Sequence, residues 1–361
     1  MDQQKAREIK TQLADYAREL AERSGAPGIE ASGVPDDAAH LVRSPTLALG
    51  LAPRDDGGYA IAVRYRLGVP AARSIARKVA SEAGDTVDVR RTGRIRPLAG
   101  PPGRAGGSGR AGGPGAAVRP PVVTALAAGE TDRVRPLRPG VSVAHVDVTA
   151  GTLGAFVRAT TPVEGAPDDA VYALSNWHVL AGSTTARVGD VVVQPGPADG
   201  GGAPADRVGT LARVVPLEAG VTQTVDGAIA LLDDPDVDPT YPVGRVTTTA
   251  RAEGGEAVGK IGRTTAVTAG RVTAIELDDV VVGYGDELGA LRFDDQIEVE
   301  STGTGPFSRG GDSGSLVYRE DGVALGLLFA GSETGGSNGT GLTYCNAIDT
   351  VLDQLGVTLL P

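Results

Sequence analysis

The sequence predicts a mainly β protein that begins with one helix and a small α/β unit. Apolar residues make up 41% of the 361 residues but aromatic residues only 4%, so the core must consist mainly of Val, Ala, Leu and Ile, a composition that suits strands. The 53 glycines and 24 prolines indicate many turns. From Val141 onward, short β-rich runs alternate with turns of Gly, Pro and Asp. The predicted strands are 142–148, 153–159, 171–175, 188–194, 208–216, 227–232, 257–261, 270–276, 296–300, 315–318 and 324–329. Many short strands separated by turns are typical of a β-barrel or a β-sandwich.

The first part of the chain, residues 1–44, is predicted to be an amphipathic helix followed by a connector. The apolar side chains that share one face of residues 3–23 are Ile9, Leu13, Tyr16 and Leu20. Glycine and proline directly after this stretch end the helix. Because the apolar stripe spans few heptads, packing on the body of the protein is favoured over a coiled-coil dimer.

Residues 45–98 have the pattern of a small α/β domain with the order ββαβ. Two alternating runs flank the segment 54–58 (RDDGG), which is a typical hairpin sequence. Pro70 lies where the first turn of a helix tolerates proline, and Gly84 ends that helix. Strand character then resumes up to Leu98. The many arginines are not interleaved with exposed aromatic residues, so a solvated strand face is favoured over nucleic-acid binding.

Residues 99–140 are predicted to form a linker of low complexity. Gly, Pro, Ala and Arg dominate there, which indicates an extended tether. Exposed flexible segments are also the first to be cleaved by proteases. The candidate sites for a basic-specific enzyme are Arg104, Arg110, Arg119, Arg133 and Arg135. A plain linker is the simpler interpretation.

The net charge of −11 is distributed unevenly along the chain. Residues 1–140 hold 22 Lys and Arg against 15 Asp and Glu, whereas residues 141–361 hold 12 against 30. The two parts could attract each other, or the acidic part could steer cationic substrates. Solubility alone is the third interpretation.

The cellular compartment is predicted from cysteine content and hydropathy. Cys345 is the single cysteine, so no intrachain disulfide can form, which favours a reducing compartment. The charged N-terminus lacks the apolar core of a signal peptide, and no segment has an apolar run of membrane-spanning length. We therefore expect a cytoplasmic protein with no membrane partner and no nucleic-acid partner.

The clearest chemical signature is the serine turn, which we define as residues 310–314 (GGDSG). Glycines let the backbone adopt positive φ, and successive N–H groups in such a turn can converge on a developing oxyanion. Ser313 is therefore a candidate nucleophile that needs a base to take its proton. Asp312 is expected to brace the turn. His178 ends an apolar strand beside a short turn, where an imidazole can face a cleft and serve as that base.

A histidine base needs an acceptor on its other ring nitrogen. Asp226 heads an apolar strand, so we expect it to be partly buried and to require a partner. The acidic residues in turns or acidic loops, which stay solvated more easily, are Asp190, Asp206, Asp233 and Asp234. The cluster at 233–238 lacks the ligand pattern and the glycine of an EF-hand, so we predict no metal and no cofactor.

The order His178, Asp226, Ser313 resembles that of trypsin-like serine proteases with the chymotrypsin fold. The resemblance covers residues 141–361 and implies a mainly β, double β-barrel protease domain, preceded here by the helix and the small ββαβ domain. It implies that Ser313 is the nucleophile, His178 the base and Asp226 the group that orients the base. It also implies an oxyanion hole formed by the N–H groups of Gly311 and Ser313.

The resemblance becomes narrower when five segments are taken together. The sequence resembles the plant NARROW LEAF 1-like group and its bacterial relatives in five segments taken in order, GTLGAFV, LSNWHVLA, VDGAIALLD, KIGRTTAVTAGRV and GDSGSLV. The specificity pocket implied by the resemblance comprises Phe307, Ser308, Phe329, Ala330 and Gly331. No aspartate occupies the position that makes trypsin prefer Arg or Lys, so an apolar or small residue is expected before the cleaved bond. Cutting of the Arg-rich linker in cis is then not the expected activity.

We therefore predict a serine endopeptidase that acts on protein or peptide substrates. One alternative is a catalytically silent, protease-like module that binds a protein partner. The other is a protease that stays inactive until its N-terminal region receives a signal from a regulatory partner. All three catalytic roles would have to persist without use in a silent module, so an active enzyme is favoured.

Overall fold

The computed structural model describes residues 1–23, 47–98, 130–285 and 287–361. The helices are α1 Gln3–Arg23, α2 Pro70–Ala83, α3 Trp177–Leu180 and α4 Ile348–Leu355, with a 3₁₀ turn at Pro197–Asp199. The strands are β1 Leu47–Pro53, β2 Tyr59–Arg66, β3 Val87–Thr92, β4 Ile95–Pro97, β5 Ser142–His145, β6 Gly151–Thr152, β7 Ala155–Ala159, β8 Tyr172–Ser175, β9 Val191–Val193, β10 Arg207–Val214, β11 Thr222–Gln223, β12 Ala228–Leu232, β13 Thr240–Tyr241, β14 Gly244–Arg245, β15 Thr248–Thr249, β16 Ala257–Gly262, β17 Ala266–Asp278, β18 Val280–Gly283, β19 Ala290–Phe293, β20 Gln296–Ser301, β21 Leu316–Arg319, β22 Val323–Ser332, β23 Leu342–Ala347 and β24 Val357–Leu359.

The N-terminal helix α1 packs on the same chain. Asp2 caps it, because its Oδ1 accepts a hydrogen bond from the backbone N–H of Lys5 at 2.8 Å. The side chains on its buried face are Ala6, Leu13, Ala17 and Leu20. This face contacts α2 and the strands β1 and β2, so the helix covers the small α/β unit, in line with the favoured interpretation.

The α/β unit shares its sheet with the second half of the chain. β1 and β2 form the expected hairpin, in which Gly57 N–H donates to Arg54 O at 3.0 Å. β3 runs parallel to β2 after the crossover helix α2. β1 then pairs antiparallel with β17, so one continuous sheet joins the unit to the body of the protein.

Two curved sheets form that body. β16, β21, β22, β23, β20 and β17 follow one another in a six-stranded sheet that closes into a barrel because β17 pairs back with β16. The other sheet has the order β24-β7-β8-β12-β10-β9-β5-β6 and forms a half-barrel. The chain end returns to this half-barrel through α4 and β24. The predicted mainly β fold class with two barrel-like sheets is therefore confirmed. Among the described residues, hydrogen bonds close the barrel of β16, β17 and β20–β23, whereas the other sheet stays a half-barrel.

Some strands were not predicted from the sequence. β18, β19 and β23 are absent from the expected set, and β23 directly follows a glycine-rich segment that breaks the strand pattern. β17 has 13 residues and extends beyond the predicted 270–276 at both ends. Its extra length has a structural reason, since β17 pairs with β16, β20 and β1.

The basic N-terminal part docks on the acidic part through ion pairs. Arg64 in β2 is buried, and its Nε and Nη2 lie 2.7 and 2.8 Å from the two carboxylate oxygens of Glu298 in β20. Arg90 Nη1 lies 2.8 Å from Glu300 Oε2. Of the three interpretations of the uneven charge, attraction between residues 1–140 and 141–361 is the one that matches these contacts.

Only one end of the expected linker is described. The connector at 24–44 and residues 99–129, which include Arg104, Arg110 and Arg119, lie outside the described residues. Residues 130–140 pack on the half-barrel, where Leu137 is buried and bridges to Val237. Arg133 pairs with Asp206 at 3.2 Å, and Arg135 donates to Gln194. No helix in the described ranges is long and apolar enough to cross a membrane.

Candidate active site

His178 and Asp226 meet at the ends of two paired strands. His178 lies in α3, directly after β8, and Asp226 lies before β12, which pairs antiparallel with β8. The Nδ1 atom of His178 is 2.5 Å from Oδ2 of Asp226, and the backbone N–H of His178 donates to Oδ1 at 3.3 Å. Both side chains are buried, with exposed fractions of 3% and 0%. Strand pairing therefore holds the carboxylate against one nitrogen of the imidazole.

Asp226 has a second side-chain donor that sequence reasoning missed. The hydroxyl of Tyr284 donates to Asp226 Oδ2 at 2.5 Å. Burial and the nearby Asp226 carboxylate raise the pKa of Tyr284 well above its usual value, so the phenol keeps its proton and continues to donate. Tyr284 follows the valines of β18, and nothing in its local sequence marks it.

The backbone of Asp226 is also fixed by amide side chains. Its N–H donates to Oδ1 of Asn346 at 3.0 Å, and its carbonyl accepts from Nδ2 of Asn176 at 2.7 Å. Asn346 comes from β23 of the closed barrel, whereas Asn176 precedes α3 of the half-barrel. The aspartate is thus anchored from both sides of the cleft.

The serine turn needs glycine for two reasons. Gly311 and Gly314 adopt φ of +100° and +94°, which are strained for any other residue. A Cβ on Gly314 would also lie 2.1 Å from Ser175 Oγ and 2.2 Å from Thr152 O. The N–H of Thr152 donates to Ser313 O at 2.7 Å. These contacts pack the turn against the end of β8, from which the chain continues to His178.

Asp312 joins the serine turn to β16 through a buried ion pair with Lys260. The Lys260 Nζ and Asp312 Oδ1 atoms are 3.4 Å apart, and both side chains are fully buried. Asp312 also accepts backbone N–H groups from Thr264 at 2.9 Å and Arg309 at 2.8 Å. Burial lowers the pKa of Lys260, and the Asp312 carboxylate acts against that shift. Lys260 was missed, although a lysine within an apolar strand is itself a signal because a buried charge needs a partner.

The Ser313 side chain is hydrogen bonded within the cleft but not to His178. Its Oγ donates to the carbonyl oxygen of Phe329 at 3.0 Å and accepts from the backbone N–H of Leu98 at 3.0 Å. Nε2 of His178 is buried and has no hydrogen-bond partner among the described residues. The structure therefore brings His178 and Asp226 into contact, whereas Ser313 and His178 are not joined by a hydrogen bond.

The expected oxyanion donors are only partly engaged. The N–H of Gly311 donates to the carbonyl oxygen of Leu98. The N–H of Ser313, the second expected donor, makes no hydrogen bond with this carbonyl. A Cβ added to Gly311 would lie 2.3 Å from Thr264 Oγ1, which is a further reason for glycine here.

The residues expected in the specificity pocket occupy different environments. Phe307 is 2% exposed and belongs to the core of the closed barrel, and Ser308 Oγ lies 2.7 Å from Thr343 Oγ1. Phe329 packs its ring against Phe293, with centroids 4.8 Å apart, and offers its carbonyl to the cleft. Ala330 and Gly331 present their backbone to β4, with which they pair.

The other acidic candidates lie away from His178. Asp190 faces His145, with 3.3 Å between Oδ2 and Nε2, and Asp206 pairs with Arg133. Asp233 pairs with Arg207 at 2.9 Å, and Asp234 accepts the N–H of Asp236. Within the part of the chain that the structure describes, no group of three or more His, Cys, Asp or Glu residues could hold a metal ion.

The sequence matches no protein-family model and no curated protein. Among solved structures, Thermobifida fusca protease A is 19% identical over 62% of this chain and 98% of its own, with a TM-score of 0.43. A glutamic acid-specific serine protease is 24% identical over 62% of this chain and 100% of its own, with a TM-score of 0.41. Cellulomonas bogoriensis chymotrypsin is 18% identical over 62% and 98%, with a TM-score of 0.41. The structural neighbours are trypsin-like serine proteases at low sequence identity.

Proposed function

We propose that the protein is a serine endopeptidase in which Ser313 is the nucleophile, His178 the general base and Asp226 the residue that orients it. The observation that carries this proposal is the 2.5 Å contact between His178 Nδ1 and Asp226 Oδ2, beside a serine turn whose Gly311 N–H donates to a peptide carbonyl. An aspartate on Nδ1 fixes the tautomer that leaves Nε2 free to accept a proton. Gly311 and Ser313 are the proposed oxyanion donors.

The catalytic cycle begins with a rotation of the Ser313 side chain. Rotation about χ1 moves the hydroxyl from the Phe329 carbonyl toward Nε2 of His178. This nitrogen has no hydrogen-bond partner in the described part of the chain, which favours the move. Ser313 Oγ then attacks the peptide carbonyl carbon while Nε2 takes its proton. Nε2 returns this proton to the leaving amine, and water hydrolyses the acyl-enzyme with His178 again as base.

Labelling with a fluorophosphonate probe tests the proposal. We expect the full-length protein to be labelled, the Ser313→Ala variant to lose the label, and Ser183→Ala, which replaces a partly exposed control serine, to keep it. Because Leu98 contacts Ser313, the probe is also applied to Leu98→Gly, which removes the leucine side chain from the cleft. Absence of labelling in both wild type and Leu98→Gly contradicts the proposal and favours the silent module that binds a protein partner.

Tyr284→Phe is expected to lower kcat/KM about tenfold. A loss of this size corresponds to the free energy of one hydrogen bond to a charged group. The hydroxyl at 2.5 Å stabilises the Asp226 carboxylate, which in turn stabilises the imidazolium formed during acylation. Hydrolysis of a peptide ester by the full-length variant measures the effect. Tyr16→Phe on α1 is the matched control and is expected to keep the wild-type rate. Equal rates for Tyr284→Phe and wild type would show that this hydroxyl has no role.

The remaining assignments are also proposals. Five ordered segments support placing residues 141–361 in the NARROW LEAF 1-like group. The single cysteine supports a cytoplasmic location. The sequence pattern supports the division at 1–44, 45–98, 99–140 and 141–361 into helix and connector, α/β domain, linker and protease domain. The ion pairs between the N-terminal unit and the barrel support regulation through the N-terminal region, with a protein partner as the signal.

A further inference from the structure

A segment of the protein's own chain lies in the candidate active site as an added strand. β4 pairs antiparallel with the end of β22, and its residues Pro97, Arg96 and Ile95 lie opposite Ala330, Gly331 and Ser332. Addition of an extended peptide to a sheet edge is a general mode of peptide recognition, in which backbone hydrogen bonds supply affinity. The edge used here is the one expected to border the specificity pocket.

Leu98, the next residue, makes three polar contacts in the cleft, two of them with groups proposed to be catalytic. Its N–H lies 3.0 Å from Ser313 Oγ and 3.3 Å from the carbonyl oxygen of Phe329. Its carbonyl oxygen accepts the N–H of Gly311, one of the proposed oxyanion donors. The N–H of Gly311 therefore polarises the carbonyl of Leu98, and Ser313 Oγ accepts a hydrogen bond from the N–H of the same residue.

The leucine side chain rests on an apolar surface. It is partly buried and packs against the hydrophobic cluster of the closed barrel, which contains Phe307 and Leu328. A Cβ on Gly331 would lie 3.3 Å from Leu98 Cδ1, so glycine at this position makes room for the leucine. Apolar packing at this position favours a leucine over a charged side chain.

The cleft also continues beyond Leu98. A cavity of about 260 Å³ borders Pro97 and Leu98 and is further lined by Thr149, Ala150, Arg263 and Gly311. Arg263 is held there by Asp199, with Nε and Oδ2 2.6 Å apart. The described walls thus leave space for the leaving side of a peptide.

We propose that residues 95–98 are a substrate segment built into the chain, and that Ser313 cleaves the peptide bond that follows Leu98. This inference rests on the proposed function and names its substrate class, peptides with leucine before the cleaved bond. The bond from Ser313 Oγ to the Leu98 carbonyl carbon forms, and the bond from that carbon to the nitrogen of Ala99 breaks. The hydroxyl proton passes through His178 Nε2 to the new amino group. Water then releases Leu98 as a carboxylate and restores the hydroxyl of Ser313.

Intact mass measurement and N-terminal sequencing of the full-length protein test the proposal. We expect the wild type to convert to a fragment that ends at Leu98 and a fragment that begins Ala-Gly-Pro-Pro. Ser313→Ala is expected to remain one chain. The rate constant of cleavage is expected to stay the same when the protein is diluted, because substrate and nucleophile belong to one molecule. A rate that rises in proportion to concentration contradicts cleavage within one chain.

Substitutions at Leu98 test the specificity. Leu98→Asp is expected to slow self-cleavage about a hundredfold, and Leu98→Met to retain it, because only the former places a charge on the apolar surface. Leu67→Asp is the matched control, since Leu67 is 55% exposed in the same unit, and it is expected to cleave at the wild-type rate. Circular dichroism establishes that each variant is folded.

A second measurement does not depend on folding of the Leu98→Asp variant. The Leu98→Gly protein is given the free peptides Ile-Arg-Pro-Leu and Ile-Arg-Pro-Arg, each linked to a coumarin leaving group. We expect hydrolysis of the leucine peptide to be favoured about tenfold or more. Equal hydrolysis of both peptides, or preference for arginine, overturns the specificity.

The outcomes separate this inference from the proposed function. Fluorophosphonate labelling of Ser313 in a protein that stays one chain, or that is cut after another residue, overturns the inference and leaves the endopeptidase intact. Absence of both labelling and cleavage in wild type and Leu98→Gly contradicts the endopeptidase itself.

Discussion

Replacement of Asp226 by asparagine is expected to slow acylation of Ser313 by about 10⁴-fold. The Asp226 carboxylate accepts from His178 Nδ1 and from Tyr284 at the same oxygen, both at 2.5 Å. Asparagine cannot carry the negative charge that stabilises the imidazolium, and its amide can hold the imidazole in the tautomer whose Nε2 is protonated. Stopped-flow measurement of fluorophosphonate labelling, or kcat/KM for a peptide ester, gives the rate.

Asp190→Asn is the matched control for this prediction. Asp190 also faces a histidine, His145, at 3.3 Å, but it is 37% exposed and lies outside the cleft. We expect this variant to keep the wild-type rate. A loss of less than about tenfold in Asp226→Asn would mean that the carboxylate does not orient the base, and another residue would have to be sought for that role.

Arg64→Met is expected to lower the free energy of unfolding by about 3–5 kcal/mol. The substitution removes the cation from a pair in which Arg64 and Glu298 are 2% and 0% exposed. Glu298 would keep the neutral donors Thr273 Oγ1 at 2.8 Å and Tyr344 OH at 3.4 Å, and Arg90 Nη1 would remain at a distance of 4.0 Å. The Glu298 charge would lose its two close contacts with the guanidinium, and a buried charge is costly when close attraction no longer offsets its desolvation. Urea unfolding of the full-length protein measures the difference.

Two further variants make this result interpretable. Arg54→Met removes an exposed ion pair with Asp56 and is expected to change stability by less than about 1 kcal/mol. The double replacement Arg64→Met, Glu298→Leu is expected to recover most of the loss, because it removes both charges of this buried pair. A double variant as unstable as Arg64→Met alone would assign the loss to packing rather than to charge.

The sequence predicted the fold class well because its signals are local. Turn residues separate short apolar runs, and Pro70 and Gly84 define α2 at both ends. β23 was missed because a glycine-rich segment hides its start. The continuity of β1 with β17 could not be predicted either, because strand pairing between segments more than 200 residues apart leaves no local pattern.

The residues of the candidate site likewise fall into those that a local sequence pattern predicts and those that depend on distant segments. His178, Asp226 and Ser313 stand in distinctive segments, and the structure places the first two in direct contact. Tyr284 and Lys260 act through distant partners, and only the lysine is unusual in its own strand. Leu98 was expected merely to end a strand. Its position at Ser313 results from sheet pairing between β4 and β22, which no single segment encodes.

The short connection between β3 and β4 has a kinetic consequence. Only Gly93 and Arg94 separate the two strands, and Gly93 N–H donates to Thr334 O at 3.0 Å. Residues 95–98 are therefore presented to the cleft as a tethered ligand, whose effective concentration reaches the millimolar range or above for a short link. A cut after Leu98 leaves this tether in place, since β1 remains hydrogen bonded to β17. Free peptides then act as competitors, and their apparent KM reports how firmly the N-terminal unit holds its strand in the cleft.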